Sequence, residues 1–527
     1  MAPASGTAVS SARSLGRLPA AGLSSLAGVM LALAFPRVGL WPLAWLSFVP
    51  FLFALKGRRA RHGLLWGWLT GTVATAIGMS WIAGLLERFA GLAWPLAVLA
   101  TVISAAAHGA ALALCGMLTC WLWSHGVRPI IALPLSLVTA ELLVPMVFPW
   151  PVGMSQYQVL AVIQISDVLG VHGISFLVAL GGAAIYELVT DPADARTRCW
   201  VLGAGAIVAA CLVYGAVRIG QVRAARERAP SITVGLVQAG LSIADKHDPR
   251  RFSINAALHR DMSAQLEREG AELVIWPESS HPYTFDHDAT RDHRGPRAVR
   301  QGFTIPVIFG VGTVDDDRHR RYNSAFLLDA EGTLHGPADK NQLLLFGEVI
   351  PFYDDIAWLR EMFPNAWNFT PGTEPGVLED GRLRAGVLNC YEDMLPDLVR
   401  QLARRRPNLL VNVTNDAWFG DTAEPYEHLA GSVLRAVEHR VDLVRAVNSG
   451  VTAVVSSTGQ VMAQTRVGGP MARFGGDEFE RTTVLARVRL HDAGTVYTKL
   501  GDSWVWAIAI AVFLSIRGVY RRRGAQP

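Results

Sequence analysis

Charge is what this sequence has least of for its length. Of 527 residues only 17% are acidic or basic, against a hydrophobic fraction of 51% that includes 16 tryptophans. That composition lies outside the ordinary soluble range and points to a membrane protein. The net charge of +4 is small, and no Lys/Arg block is interleaved with exposed aromatics, which excludes nucleic acid as a partner. Cysteine is scarce too. Of five, Cys115, Cys120, Cys199 and Cys211 lie in or beside apolar runs, which leaves Cys390 alone in the charged part of the chain. A disulfide within that part and a Cys-x-x-Cys metal site are both excluded. There is no internal repeat or low-complexity linker, and no motif implies a metal or nucleotide cofactor.

Long apolar runs dominate the first 220 residues. Residues 63–86, 89–127 and 199–217 carry no Lys, Arg, Asp or Glu at all, and a bilayer core needs about 20 such residues per helix. Seven spans are read there, at 19–35, 38–55, 63–86, 91–121, 129–147, 169–188 and 199–217, with an eighth at 503–520. Arg13 and Arg17 precede the first as they would in a signal peptide, but the spans that follow closely make it a retained transmembrane helix. In the eighth, Arg517 has to snorkel, and Trp504 and Trp506 suit an interfacial belt.

Arg13/Arg17, Lys56 with Arg58, Arg59 and Arg61, Arg128, Arg196/Arg198 and Arg517 to Arg523 fall on one side if the chain alternates across eight spans. The positive-inside rule then puts both termini in the cytoplasm and residues 221–500 on the far side. Arg218, Arg223, Arg226 and Arg228 oppose this, although charges leading a long translocated domain weigh little in that rule. The expected organisation is a membrane domain at 1–220, a water-soluble domain at 221–500, and a last helix with a basic tail at 501–527. Glu141 is the one acid well inside a span, a functional candidate by default; a bond to a neighbouring helix is the favoured reading.

In the charged part, SITVGLVQ, ELVIWPE, PVIFGVG, YNSAFLLDA, LRAGVLNC, NLLVNVTN and TAVVSSTG read as strands, with helices at 249–269, 393–405 and 426–440 between them. Strands apolar on both faces and separated by helices predict an α/β fold with its sheets covered by helices.

Three apolar runs end on residues able to do chemistry: Glu278, Lys340 with Glu348 nearby, and Cys390. Sites in α/β sheets gather at strand ends. A cysteine attacks a carbonyl as thiolate and needs a base to take its proton; Glu278 is the candidate. The oxyanion that forms needs donors, for which Lys340 and the amide of Tyr391 are the candidates. Taken singly, each feature is more often structural, since a lone cysteine behaves as a small buried hydrophobe.

Together, WPE at 276–278, K-x7-E-x-x-P-F from Lys340 through Glu348 to Phe352, CYE at 390–392, NDAWFGD at 415–421 and RAVNSGVTAV at 445–454 resemble the carbon-nitrogen hydrolase (nitrilase) superfamily. Its branch with eight spans and the hydrolase domain inserted before the last, the apolipoprotein N-acyltransferases, is the one this chain is similar to over nearly its whole length. The resemblance implies an α-β-β-α sandwich joined to a polytopic helical domain in the bacterial inner membrane, with the catalytic domain periplasmic. It also implies the triad Glu278, Lys340 and Cys390, supporting roles for Glu348, Tyr391 and Glu392, and Trp418 and Phe419 beside the lipid entrance. The implied reaction moves an acyl chain from a phospholipid through a Cys390 thioester to the α-amine of a diacylglyceryl apolipoprotein, without a cofactor or metal and in a monomer.

His247 departs from the pattern, standing where the family has Trp, which puts a substrate contact there in doubt. Residues 343–346 and 358–369 are candidate lid loops, and Trp150 is either a membrane-interface anchor or part of an acyl pocket wall. The alternative function is a membrane-bound periplasmic amidase or nitrilase that uses the same triad with water. A transporter is disfavoured because the spans lack paired broken helices and intramembrane charges.

Overall fold

Proline marks where some of the helices begin. Pro42 and Pro129 occupy first-turn positions, where a missing N–H costs nothing. In the computed structural model, which describes residues 14–344, 347–350, 353, 355, 356, 358, 361, 368–465, 481–492 and 494–524, the amino-terminal part is helical throughout. Its helices are α1 (Arg17–Ala34), α2 (Pro42–Leu55), α3 (Ala60–Gly78), α4 (Trp81–Ala90), α5 (Trp94–His108), α6 (Ala110–Ser124), α7 (Pro129–Leu143), α8 (Leu160–Ile163), α9 (Ser166–Thr190) and α10 (Ala195–Arg228).

Four of the described helices are long and apolar enough to cross a membrane: α1, α5 continuing into α6, α9 and α10. A fifth passes as the pair α3 and α4, bent by 58°. The predicted span at 63–86 is therefore broken near Met79. Trp150 sits where the bend opens, its ring within 2.6 Å of where a β-carbon on Gly78 would lie. The apolar segments of α2, α7 and the last helix fall short of 18 residues. Helix α10 buries only 11% of its most apolar window and exposes Leu202, Val213 and Val217, as expected of a helix facing lipid chains. The chain is a membrane protein.

Helix α10 continues past the predicted span at 199–217 as one unbroken rod of 34 residues, about 50 Å long. Two of the four arginines that oppose the charge rule are ion-paired along it: Arg218 with Asp167 at 2.8 Å, and Arg226 with Asp442 at 2.6 Å. Asp442 also accepts the backbone N–H groups of Ser457 and Arg489. Burial alone would raise its carboxyl, but His491 and Arg226 outweigh that and hold it at about 2, below the ordinary 3.8. A depressed acid stabilises the fold above its unfolded pKa and stops doing so as pH falls through the folded one, here an effect of about 2 kcal/mol. The thermal midpoint in detergent is expected to fall between pH 4 and pH 2. Asp442→Asn is expected to lower it at neutral pH, with the gap to wild type closing toward pH 2.

Two sheets follow. The first runs in the order β13-β1-β2-β4-β5-β6 and is built from β1 (Ser231–Gln238), β2 (Leu273–Ile275), β4 (Val307–Asp315), β5 (Arg320–Leu328), β6 (Leu334–Asp339) and β13 (Thr482–Arg489); β3 (His281–Asp286) also pairs with β4. The second runs β12-β11-β10-β9-β8-β7, from β7 (Val377–Asp380), β8 (Leu383–Asn389), β9 (Leu409–Thr414), β10 (Leu443–Val447), β11 (Ala453–Val455) and β12 (Val461–Gln464). Their facing sides share one core, in which Val234, Leu236, Ile275 and Ile308 meet Val387, Val411, Val413 and Val444. Leu266 and Met262 on α12 (Phe252–Arg268), which follows the short α11 (Ile243–His247), pack on the outer face of the first sheet with Val274 and Trp276.

The second sheet is covered by α13 (Pro396–Arg404) and α14 (Glu424–His439), ahead of α15 (Val496–Leu500) and α16 (Ser503–Gly524). This is the expected α-β-β-α arrangement with one addition. Every residue of α14 except Tyr426 is buried, because its far side packs on the membrane-region helices. Val433 and Val437 belong to the same core as Ile163, Val178 and Trp81. Buried Arg440 closes that junction with Asp167 at 2.8 Å and Gln164 at 2.7 Å. Glu141, the acid inside a span, accepts from Val152 N, Ser175 Oγ and His172 Nδ1, tying the 152–156 turn to α9.

Candidate active site

A glycine makes room for the first acid. Strands β2 and β3 both lie parallel to β4 along one edge, and Trp276-Pro277-Glu278 occupies the break between them. A β-carbon on Gly310 of β4 would fall 2.6 Å from the Pro277 carbonyl and 2.7 Å from the Glu278 Cα, so only glycine lets the strand approach this turn. The buried Trp276 indole donates to Ser263 Oγ on α12 at 2.8 Å and pins the turn from behind. Glu278 is thereby turned inward, 7% exposed.

Lys340 follows β6 directly and is 2% exposed. Its Nζ lies 3.2 Å from Glu278 Oε1 and 2.8 Å from Glu348. Burial alone would lower its pKa, but the two carboxylates outweigh this and hold it well above the ordinary lysine value, so it stays a cation. Asn323 on β5 completes the cluster, its Nδ2 donating to both Glu278 Oε1 at 2.8 Å and Glu348 Oε1 at 3.0 Å.

Cys390 follows β8 of the other sheet directly and opens a 3-10 turn, Cys390–Met394, with φ of 53°. A left-handed conformation is costly for a residue other than glycine and persists only where the surroundings impose it. Glu392 is part of what imposes it. Its Oε2 accepts Asn389 N at 2.8 Å, while its Oε1 accepts Asn341 N at 2.6 Å and Gln342 N at 2.9 Å. One carboxylate therefore clamps the cysteine turn to the loop that carries Lys340. Burial raises this carboxyl to about 7 in spite of those donors. Tyr391 lies under the ammonium of Lys340, 5.7 Å from ring centroid to Nζ, and donates its hydroxyl to Leu343 O.

Burial and then Glu278 push the Cys390 thiol well above its ordinary range, with Lys340 opposing them. At rest the sulfur keeps its proton, so an attack by it has to be coupled to proton removal. The chemical capacity of the arrangement is nucleophilic acyl transfer with a carboxylate beside the thiol and a fixed cation beside both.

The expected site residues at 278, 340, 348, 390, 391 and 392 thus come together. Trp418 and Phe419 lie one layer toward the helical region. Phe419 is buried, its ring 5.2 Å edge-on from Trp81 of α4, and Arg88 of α4 donates to the carbonyls of both residues. Trp150 is not a membrane-interface anchor. It is 7% exposed, stacks on Phe35 at 3.7 Å and donates to Glu427 Oε1, because the bend after α3 opens a slot for it under α14. His247 points away from the cluster, exposed and bonded to Ile243 O. Of the lid loops, residues 345, 346, 359, 360 and 362–367 lie outside the described residues, as do Arg13 and the Pro351-Phe352 end of one motif.

Sequence reading passed over several residues. Besides Asn323, Lys246 donates from Nζ to the Glu278 carbonyl at 2.6 Å, and burial lowers its ammonium to about 8; its place beside the flagged His247 was the only local signal. Beneath Cys390 lies a buried network of Asp393, Asp416, His428 and Arg445. Asp416, Glu424 and His428 bring three ligand atoms within 4.8 Å of one another. Both His428 nitrogens face carboxylate oxygens, at 2.7 Å and 3.2 Å. Burial and Arg445 act against the imidazolium, but Asp393 and Asp416 outweigh them and raise it to about 10.

Residues 27–184 match the model of the apolipoprotein N-acyltransferase N-terminal domain, and residues 233–496 that of carbon-nitrogen hydrolases. The chain is 31% identical to an apolipoprotein N-acyltransferase of Geobacter metallireducens, over 95% of both chains. It is 29% identical to the protein of that name from Azotobacter vinelandii, again over 95% of both. Among solved structures, Nit3 of Saccharomyces cerevisiae, a member of branch 10 of the nitrilase superfamily, is 17% identical with a TM-score of 0.37, covering 51% of this chain and 93% of that one. A carbon-nitrogen hydrolase cluster set on a helical membrane region, and a relative alike from end to end, lead to one conclusion: the chain belongs to the apolipoprotein N-acyltransferase family.

Proposed function

We propose that this protein transfers an acyl chain from a phospholipid to the α-amine of the N-terminal diacylglyceryl-cysteine of apolipoproteins. In this reading it works as a monomer in the bacterial inner membrane, with residues 1–220 embedded, 221–500 periplasmic, 501–527 forming the last helix and tail, and both termini cytoplasmic. The observation that carries the lipid substrate is an aromatic line from the nucleophile into the helices. Ring centroids are 6.4 Å apart from Tyr391, next to the nucleophile, to Phe148 and 5.1 Å from Phe148 to Trp81 of α4, which also meets Phe419 of the 415–421 loop at 5.2 Å. A small-amide hydrolase has no use for a nucleophile joined to membrane helices in this way.

In the first half, Glu278 takes the Cys390 proton as sulfur attacks the ester carbonyl. Lys340 and the Tyr391 N–H receive the oxyanion. Collapse breaks the bond to the glyceryl oxygen, which leaves as lysophospholipid with the proton from Glu278, and a thioester remains. In the second half, the amine attacks that thioester, Glu278 takes its proton and returns it to sulfur, and the amide leaves. Glu348 and Glu392 hold Lys340 and the two turns in place. Trp418 and Phe419 border the route of the acyl chains.

The acceptor half is tested on enzyme already carrying the acyl group. A diacylglyceryl-cysteine peptide with a free amine is expected to discharge it and gain the chain, whereas its N-acetylated form leaves the thioester intact. Equal discharge by water in both samples overturns the transferase reading in favour of the hydrolase.

A further inference from the structure

The carbonyl of Cys390 is gripped from behind. Asn412 Nδ2, from the adjacent strand β9, donates to it at 2.7 Å, and His428 Nε2, from α14, lies 3.1 Å away. Both side chains are fully buried. Reversing the Asn412 amide would set its oxygen against the Cys390 oxygen, which fixes the orientation as written. His428 is fixed in turn by Asp393 and Asp416, and Arg445 and Ser432 hold Asp393. None of these six side chains bonds Glu278, Lys340 or Glu348 among the hydrogen bonds of the described residues, so the mechanism above leaves them without a task.

In a trans peptide the C=O and the following N–H point in opposite directions. Donors that lock the Cys390 oxygen on the α14 side therefore aim the Tyr391 N–H toward the opposite, substrate side. As the second residue of a 3-10 turn, Tyr391 has an N–H with no partner inside that turn. Asn412 Nδ2, together with the His428 Nε2–H that the carbonyl shares with Asp393 Oδ1 at 2.7 Å, also polarises the amide and strengthens its N–H as a donor. The left-handed Cys390 needs such a grip, because its backbone would otherwise relax.

We propose that Asn412 and His428 are positioning residues of the oxyanion site, setting the rotation of the peptide between Cys390 and Tyr391 so that its N–H meets the developing oxyanion. This rests on the reading of the Tyr391 N–H as an oxyanion donor.

Two reactions of the same sulfur separate this role from a merely structural one. Alkylation by iodoacetamide passes through no oxyanion; acylation by p-nitrophenyl octanoate does. Full-length enzyme in detergent is compared as wild type, Asn412→Leu, His428→Leu and His428→Gln, with Cys390 modification followed by intact mass. The two leucine variants are expected to lose at least about tenfold in acylation rate and to keep alkylation within about twofold. His428→Gln keeps a donor near the Nε2 position and is expected to recover most of the loss. Acylation unchanged in Asn412→Leu, or acylation and alkylation falling together in it and in His428→Gln, overturns the proposal. A wild-type enzyme that is alkylated but never acylated contradicts the acyl-transfer reading instead.

Discussion

Replacing Glu278 with Gln is expected to slow formation of the Cys390 thioester by about 10²- to 10⁴-fold, the usual worth of a general base, with little change in stability. The amide keeps an oxygen for Asn323 and Lys340, which reach Oε1 at 2.8 Å and 3.2 Å. It cannot take a proton. Because the resting thiol is held above its ordinary range, no reserve of thiolate bypasses the base. Single-turnover acylation and a thermal melt, run on the same preparation, check both halves of this statement. A variant that acylates at the wild-type rate would remove Glu278 from the mechanism.

Lys340→Met carries the second large effect, and it differs in kind. The ammonium is 2% exposed and lies between two carboxylates. Its removal leaves Glu278 and Glu348 sharing Asn323 Nδ2, with Leu344 N still donating to Glu348 Oε2. Breaking a buried ion pair on one side costs about 3–5 kcal/mol, and the remaining pair relieves its repulsion by sharing a proton. The base is lost along with the oxyanion partner, so acylation is expected to fall at least about a hundredfold while the melting midpoint drops. Glu278→Gln loses activity alone; Lys340→Met loses activity and stability. Equal melting temperatures for the two variants would contradict the charge arrangement described here.

How much of this was legible beforehand depended on how local the signal was. SITVGLVQ is β1 residue for residue, because an eight-residue β-branched run flanked by a proline and a glycine-containing turn leaves few alternatives. Strand β6 was not read as a strand, since LHGPAD carries a Gly-Pro in its middle, yet Lys340 was still placed by the polar stop after it. The triad itself came from three stretches, each weak alone, whose combination in the order Glu278, Lys340, Cys390 matches the carbon-nitrogen hydrolase pattern.

Helix α14 shows the limit. Its mix of Glu, His, Arg and small apolar residues reads as a helix with one wet face, and only the membrane-region helices packed on its far side make it buried. That cover lies hundreds of residues away in sequence. The network under Cys390 was invisible for the same reason: Asp393, Asp416, His428 and Arg445 come from four separate elements, and each alone is an ordinary polar residue. The partners of Arg218 and Arg226, Asp167 and Asp442, likewise lie far off in sequence and were equally invisible.

The most direct test of the central claim is the intact mass of purified enzyme after incubation with phospholipid alone, wild type beside Cys390→Ala. The account predicts a gain of one acyl chain on the wild type and no gain on the variant, with release of lysophospholipid in equal amount. Wild-type protein that stays at its unmodified mass, or a variant that gains the same chain, would contradict it.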